Sequence, residues 1–301
     1  MSRSSLTYLL YSSLWKITQW LPEKTAYRLA DRAADFIFKK NGKQIQRLRS
    51  NYQRFHPTLN SVELDAMTRE GMRSYLRYWC DTFRFPKWSK ERTISTVLVD
   101  GEHFLREPIA EGRGCIVALP HAGNWDHAGA YFCATGIPLT TVAEHLEPEK
   151  LFRKFLTYRQ NIGMEVLDLN SRVIAVLAQR LRSGKLVALV ADRDLSQSGI
   201  EVQFAGAPAR MPAGPALLAI QTGADLINAY VKYEGNGIRI TFEAPISVPS
   251  EGTQPEKVKA MTQISATRFE KAIRASTSDW HMLQRIWIDG DFIERTSADV
   301  T

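Results

Sequence analysis

The chain has 301 residues, 44% hydrophobic and 24% charged, a composition that weighs against disordered and collagen-like classes and allows a large buried core. Its 39 Lys and Arg against 32 Asp and Glu leave a formal charge of +7, which favours an anionic partner such as an acidic membrane, a phosphorylated substrate or nucleic acid. The three cysteines, Cys80, Cys115 and Cys133, form no CxxC pair, so we expect a reducing compartment without disulfides or a thiolate metal site.

No 18 apolar residues run together, so no membrane span is expected, and Lys16, Pro22 and Glu23 spoil a secretory signal. Leu6, Leu9, Leu10, Leu14, Ile17 and Leu21 recur at helical spacing with Tyr8, Tyr11, Trp15 and Trp20 between them. That pattern predicts an amphipathic helix suited either to the core or to a membrane interface. Basic residues at Lys39, Lys40, Lys43, Arg47 and Arg49 follow, and residues 60–85 carry a second helical pattern. The pattern then alternates. Strands are predicted at 115–119, 140–143, 165–169 and 186–190, separated by helices from about 125, at 148–162 and at 173–182. A helix at 212–222, a hairpin of strands at 226–232 and 238–245 turning at Asn236-Gly237, and a helix at 257–275 complete it. The expectation is one α/β domain over residues 1–301, a mixed and mostly parallel sheet flanked by helices at 96–290, preceded by a helical, membrane-associating region at 1–95.

In open α/β sheets ligands collect beyond the carboxyl ends of the strands, where this chain carries His121-Ala-Gly-Asn-Trp-Asp126 and Asp192-Arg193-Asp194. His121 and Asp126 would stand about 140° apart in one continuous helix. A loop turning at Gly123 could instead fold back, making His121 a general base and Asp126 its orienting acid. No G-x-S-x-G elbow, HExxH, Walker A or GxGxxG sequence occurs, which disfavours a covalent hydrolase, a metal enzyme and nucleotide-dependent chemistry. Cys115 and Cys133 read as inert thiols. Glu144, Arg159, Asp192 and Arg193 form a hydrogen-bonding set suited to vicinal sugar hydroxyls. The rival readings are an acyl-CoA thioesterase using the same His–Asp pair on water, a non-enzymatic lipid-binding protein, and a nucleic-acid binder that explains only the charge.

The block Pro120-His121-Ala-Gly-Asn124-Trp125-Asp126 resembles the H-x4-D motif of the lipid A and phosphatidylinositol mannoside acyltransferases, within the lysophospholipid acyltransferase superfamily. Further blocks at residues 141–149, 191–195, 210–216 and 279–284 resemble the mannoside branch, in order across about residues 115–287. The resemblance implies transfer of a palmitoyl-type chain from acyl-CoA to the 6-hydroxyl of a mannose on a phosphatidylinositol mannoside, with no metal or other cofactor. It further implies peripheral attachment to an anionic membrane at the cytoplasmic face of the plasma membrane, and no nucleic-acid partner. By position His121 becomes the base, Asp126 its partner, and Glu144, Arg159 and Asp192 the residues around the sugar. The mannoside branch often carries Glu where Asp192 stands, and the F-P-E-G-T-R-S block of glycerolipid acyltransferases is missing, which steers away from a glycerol-phosphate acceptor. Oxyanion donors are expected among the backbone N–H groups near Asn124 to Asp126.

Overall fold

The computed structural model describes residues 3–143, 148–169, 172–194 and 198–289. Four helices lead the chain: α1 (Arg3–Trp20), α2 (Glu23–Lys40), α3 (Lys43–Phe55) and α4 (Ser61–Arg84). Helix α4 starts at a capping box, in which the Asn60 side chain accepts from the Val62 and Glu63 N–H groups while Glu63 reaches back to the Asn60 N–H. A short α5 (Lys90–Ser95), β1 (Val97–Asp100) and α6 (His103–Ala110) lead into the alternating core. This core runs β2 (Cys115–Leu119), α7 (Trp125–Ala134), β3 (Leu139–Ala143), α8 (Glu149–Asn161), β4 (Glu165–Asp168), α9 (Val173–Arg182) and β5 (Leu186–Val190). Then come an antiparallel pair β6 (Ile200–Phe204) and β7 (Ala207–Met211), α10 (Gly214–Thr222), β8 (Asp225–Glu234), β9 (Gly237–Phe242) and α11 (Gln254–Ala275).

The main sheet has seven strands in the order β1-β9-β8-β2-β5-β3-β4, and only the β8–β9 pair is antiparallel. The mixed, mostly parallel α/β architecture expected from the alternation is the one observed. Strand β2 is buried along its whole length, as a central parallel strand covered on both faces must be. Its side chains alternate between two cores. Ile116 and Ala118 join Leu177 of α9, Leu218 of α10 and Phe269 of α11 on one face. Cys115, Val117 and Leu119 join Leu105 of α6 and Phe132 of α7 on the other.

Three details depart from the sequence expectation. The β8–β9 turn centres on Gly235-Asn236, with φ of 56° at Gly235, so the first glycine supplies the left-handed residue and Gly237 already pairs in the ladder with Glu234. Strand β1 and the β6–β7 hairpin were not anticipated. Helix α1 divides its apolar residues: Trp15 packs on Phe83, Phe155 and Tyr158, whereas Leu9, Leu14, Ile17 and Trp20 face outward, Trp20 being 88% exposed. Among the described residues no helix is long and apolar enough to cross a membrane.

Candidate functional site

Strands β2 and β5 are adjacent, parallel and in register, with Leu119 opposite Val190, and Ala191 N–H extends the ladder to the Leu119 carbonyl at 2.8 Å. His121 and Asp192 lie two residues beyond those paired ends, so the register brings them side by side. His121 Nδ1 lies 2.5 Å from Asp192 Oδ1, and Asp192 Oδ2 accepts from the His121 N–H at 3.0 Å and from Trp280 Nε1 at 2.8 Å. The carboxylate is 0% exposed and the His121 side chain 25% exposed. Burial opposes the charge on Asp192, but the neighbouring imidazole and the three donors outweigh it and hold the carboxyl below its ordinary range. An ionised carboxylate on Nδ1 keeps that nitrogen protonated and leaves Nε2 as the nitrogen with a free lone pair.

This corrects two expectations. Asp192 does not reach outward to a sugar, because both of its oxygens are committed to His121 and Trp280. Asp126 does not orient His121; its Oδ1 accepts from Arg159 Nε at 2.9 Å and its Oδ2 from the Tyr78 hydroxyl at 3.0 Å. In the first turn of α7 its carboxylate points toward α4 and α8, away from the β5 end. Arg159, expected at the acceptor, holds Asp126 with a side chain 20% exposed. Burial weakens the guanidinium's charge, yet Asp126 more than restores it. Arg193 donates from Nη1 to Gln284 Oε1 at 2.6 Å. Glu144 lies outside the described residues.

The loop between β2 and α7 is fixed from three sides. Gly123 has φ of 57°, and a Cβ there would stand 2.6 Å from the Val231 carbonyl oxygen, so both its backbone conformation and its surroundings require glycine. Gly123 N–H donates to the Asp279 carbonyl and His281 N–H to the His121 carbonyl, each at 2.8 Å, around an isolated bridge between Ala122 and Trp280. Asn124 caps α7, its Oδ1 accepting from the His127 N–H at 2.9 Å while its Nδ2 donates to Asp81 Oδ2 at 3.3 Å. His127 is buried and points its Nε2 at the Thr93 carbonyl, and burial pushes its pKa down to about 4, so it serves packing.

The sequence reading gave no role to several site residues: Ser74, Tyr78 and Asp81 of α4, and Trp280 and His281, although the last two lie in the 279–284 block. The α4 residues recur at i, i+4 and i+7, a polar stripe inside an otherwise apolar pattern, and this was the signal available. Tyr78 also stacks on Trp125 with centroids 4.2 Å apart, and Trp125 meets His121 edge-on at 5.7 Å.

Next to this group, between α7 and the sheet, lies a partly open apolar cavity. Leu119, Val190, Trp125, Asp126 and Arg159 line it at the carboxyl ends of the strands, and Leu139 and Leu186 at their amino ends. Among the described residues no hydroxyl or thiol hydrogen-bonds the His121 ring, so no protein nucleophile is paired with it.

A histidine backed by a buried carboxylate, with no nucleophile hydrogen-bonded to it among the described residues and packed against Trp125 of the cavity lining, suits direct acyl transfer to an incoming hydroxyl, and the protein is an acyltransferase. A family profile described as bacterial lipid A biosynthesis acyltransferase matches residues 1–288, and the chain belongs to that family. It is 38% identical over 287 residues to the phosphatidylinositol mannoside acyltransferase of Mycolicibacterium smegmatis, covering 94% of this chain and 92% of that protein. It is 36% identical over 283 residues to the phosphatidylinositol mannoside acyltransferase of Mycobacterium tuberculosis, covering 92% of this chain and 87% of that one.

Proposed function

We propose that this chain transfers a palmitoyl-type acyl group from acyl-CoA to the 6-hydroxyl of a mannose on a phosphatidylinositol mannoside, at the cytoplasmic face of the plasma membrane. The observation that carries the chemistry is the His121–Asp192 pair, its imidazole partly exposed and packed edge-on against Trp125, a residue of the apolar cavity's lining. Nε2 takes the proton of the sugar hydroxyl as its oxygen attacks the thioester carbonyl carbon. Asp192 stabilises the imidazolium so formed, the C–S bond then breaks, and the proton passes to the departing CoA sulfur. No acyl-enzyme is needed. The Trp125 and Asp126 N–H groups occupy the first two helical positions of α7, where no intrahelical acceptor exists, which suits them to the tetrahedral oxyanion.

The cavity supports a fatty acyl donor, because its lining is mostly aliphatic or aromatic, with Asp126, Thr141 and Arg159 among its few polar residues. The acceptor rests on the two relatives, whose names specify a phosphatidylinositol mannoside. Membrane attachment is supported by α1, where Leu9, Leu14, Ile17 and Trp20 fall within one arc of about 140° at 100° per residue, on the side opposite Trp15. The formal charge of +7 suits both the CoA phosphates and an anionic bilayer.

The test is the product. Purified protein is given palmitoyl-CoA with vesicles containing phosphatidylinositol monomannoside, and the acylated glycolipid is isolated for NMR. An ester on the mannose 6-oxygen supports the proposal in full; an ester elsewhere on the mannose corrects the position. Free palmitate alone points to a thioesterase.

A further inference from the structure

A buried carboxylate stands behind the β2–α7 loop and has no part in the scheme above. Asp81 of α4 is 2% exposed and accepts hydrogen bonds from three elements. The Tyr27 hydroxyl of α2 donates to Oδ1 at 2.5 Å, while the Tyr233 hydroxyl of β8 and Asn124 Nδ2 donate to Oδ2 at 3.1 and 3.3 Å. Arg77 lies over the Tyr233 ring, 3.9 Å from its centroid. Burying a carboxylate costs free energy that neutral donors return only in part. Burial accordingly pushes the Asp81 pKa up, against the opposing pull of Tyr27 and Arg77. The contacts hold in either protonation state, because a proton on Oδ1 would be donated to the Tyr27 oxygen and leave Oδ2 accepting from Asn124.

What the carboxylate supplies is direction. Asn124, the N-cap of α7, is 1% exposed and its amide has two unlike ends. With Nδ2 donating to Asp81, Oδ1 faces the His127 N–H and accepts from it at 2.9 Å. His127 is the third helical residue, so the cap takes that N–H and leaves those of Trp125 and Asp126, the pair suited to the oxyanion. An amide turned the other way would set its NH₂ against the His127 N–H, and the first turn would lose its cap.

We infer that Asp81 is a positioning residue for the reaction: through the Asn124 amide it fixes the first turn of α7, so that the Trp125 and Asp126 N–H groups are already aimed at the oxyanion when the thioester is attacked. This rests on the acyl-transfer reading above and on its oxyanion donors. Asp81 does not line the apolar cavity, so its loss slows the chemical step and leaves donor binding unchanged. Transfer and hydrolysis pass through the same oxyanion and slow together.

The test compares wild type with Asp81→Ala, which removes the acceptor, and Asp81→Asn, whose amide oxygen can replace Oδ2 while its NH₂ donates to the Tyr27 oxygen. Radiolabelled palmitoyl-CoA with phosphatidylinositol monomannoside vesicles gives transfer, the same donor without glycolipid gives hydrolysis, and near-UV circular dichroism reports the fold. Asp81→Ala should lower kcat of both reactions by about 10- to 100-fold with KM for palmitoyl-CoA unchanged, and Asp81→Asn should recover most of it. A folded Asp81→Ala with wild-type kcat, a rise in donor KM in place of a fall in kcat, or an Asp81→Asn as slow as Asp81→Ala overturns the inference. Should Asp81→Ala fail to fold, Asn124→Asp replaces it. Asp caps a helix as well as Asn does, but here it sets two carboxylates face to face. Its kcat should fall, and adding Asp81→Asn, which reverses the pair, should restore it; a reversed pair no faster than Asn124→Asp alone, or an Asn124→Asp at the wild-type rate, overturns the inference. Wild type that releases only free palmitate overturns the transfer reading alone, and the hydrolysis rates of the same variants then decide on Asp81.

Discussion

Replacing Asp192 by Asn changes one atom and tests the proton chemistry directly. The carboxylate receives three donors, His121 Nδ1 on one oxygen and the His121 N–H and Trp280 Nε1 on the other. An amide has one oxygen and one NH₂. Turning the NH₂ toward Trp280 sets it against two donors, so the favoured pose keeps the oxygen there and offers the NH₂ to His121 Nδ1. That pose makes Nδ1 the acceptor and protonates Nε2, the wrong tautomer for a base. The loss is then the full general-base contribution, about 10²–10⁴-fold in kcat, or roughly 2.7–5.4 kcal/mol. Acyl transfer and acyl-CoA hydrolysis should fall together, since both need Nε2 bare, and His121→Ala combined with Asp192→Asn should be little worse than either alone. A selective loss of acceptor use with hydrolysis intact would refute the reasoning and restore Asp192 to the sugar.

Gly123→Ala should lower stability by about 1–3 kcal/mol from the left-handed backbone alone, with a further penalty from the contact at the Val231 carbonyl, and urea denaturation would read it. His281 and His127 have pKa values pushed down to about 3 and about 4 in the folded protein against 6.5 when unfolded. The unfolded chain therefore binds more protons below pH 6.5, and the stability they contribute is complete above that pH. It is lost as pH falls, by up to about 1.4 kcal/mol per pH unit for each ring, until the folded rings protonate. A urea midpoint that does not fall between pH 7 and pH 5 would contradict this. Trp20→Ser with Leu9→Ser should leave the fold intact, because both side chains are exposed, and should weaken co-sedimentation with anionic vesicles; unchanged binding would argue against α1 as the membrane contact.

The sheet and most of its helices were legible because burial imposes a period. Cys115-Ile-Val-Ala-Leu119 and Leu186-Val-Ala-Leu-Val190 could only be central strands, and the polar residues beyond them marked the site. The partnership between His121 and Asp192 was not legible, although each follows its apolar run by the same two residues. Pairing them requires knowing that β2 and β5 are neighbours, and strand order comes from how helices pack over the sheet, a long-range property. Asp126, nearer in the sequence, attracted the assignment through its spacing and through the H-x4-D motif that its block resembles. Its true partners, Arg159 and Tyr78, come from α8 and α4, and the latter helix was read only as an apolar stripe. The β6–β7 hairpin was missed because Ala205-Gly206 with φ of 49° and 77° lacks the usual Asn or Asp.

The central claim is that His121 Nε2 deprotonates an acceptor hydroxyl that attacks the acyl thioester without an acyl-enzyme. The most direct measurement is a time course of CoA release and acylated phosphatidylinositol monomannoside from palmitoyl-CoA, for wild type and His121→Ala, with mass spectrometry of the quenched protein. The account predicts one acylated glycolipid per CoA in wild type, no mass gain on the enzyme, and loss of both products by about 10²–10⁴-fold in His121→Ala. A palmitoylated protein, or a His121→Ala variant that still transfers at the wild-type rate, would contradict it.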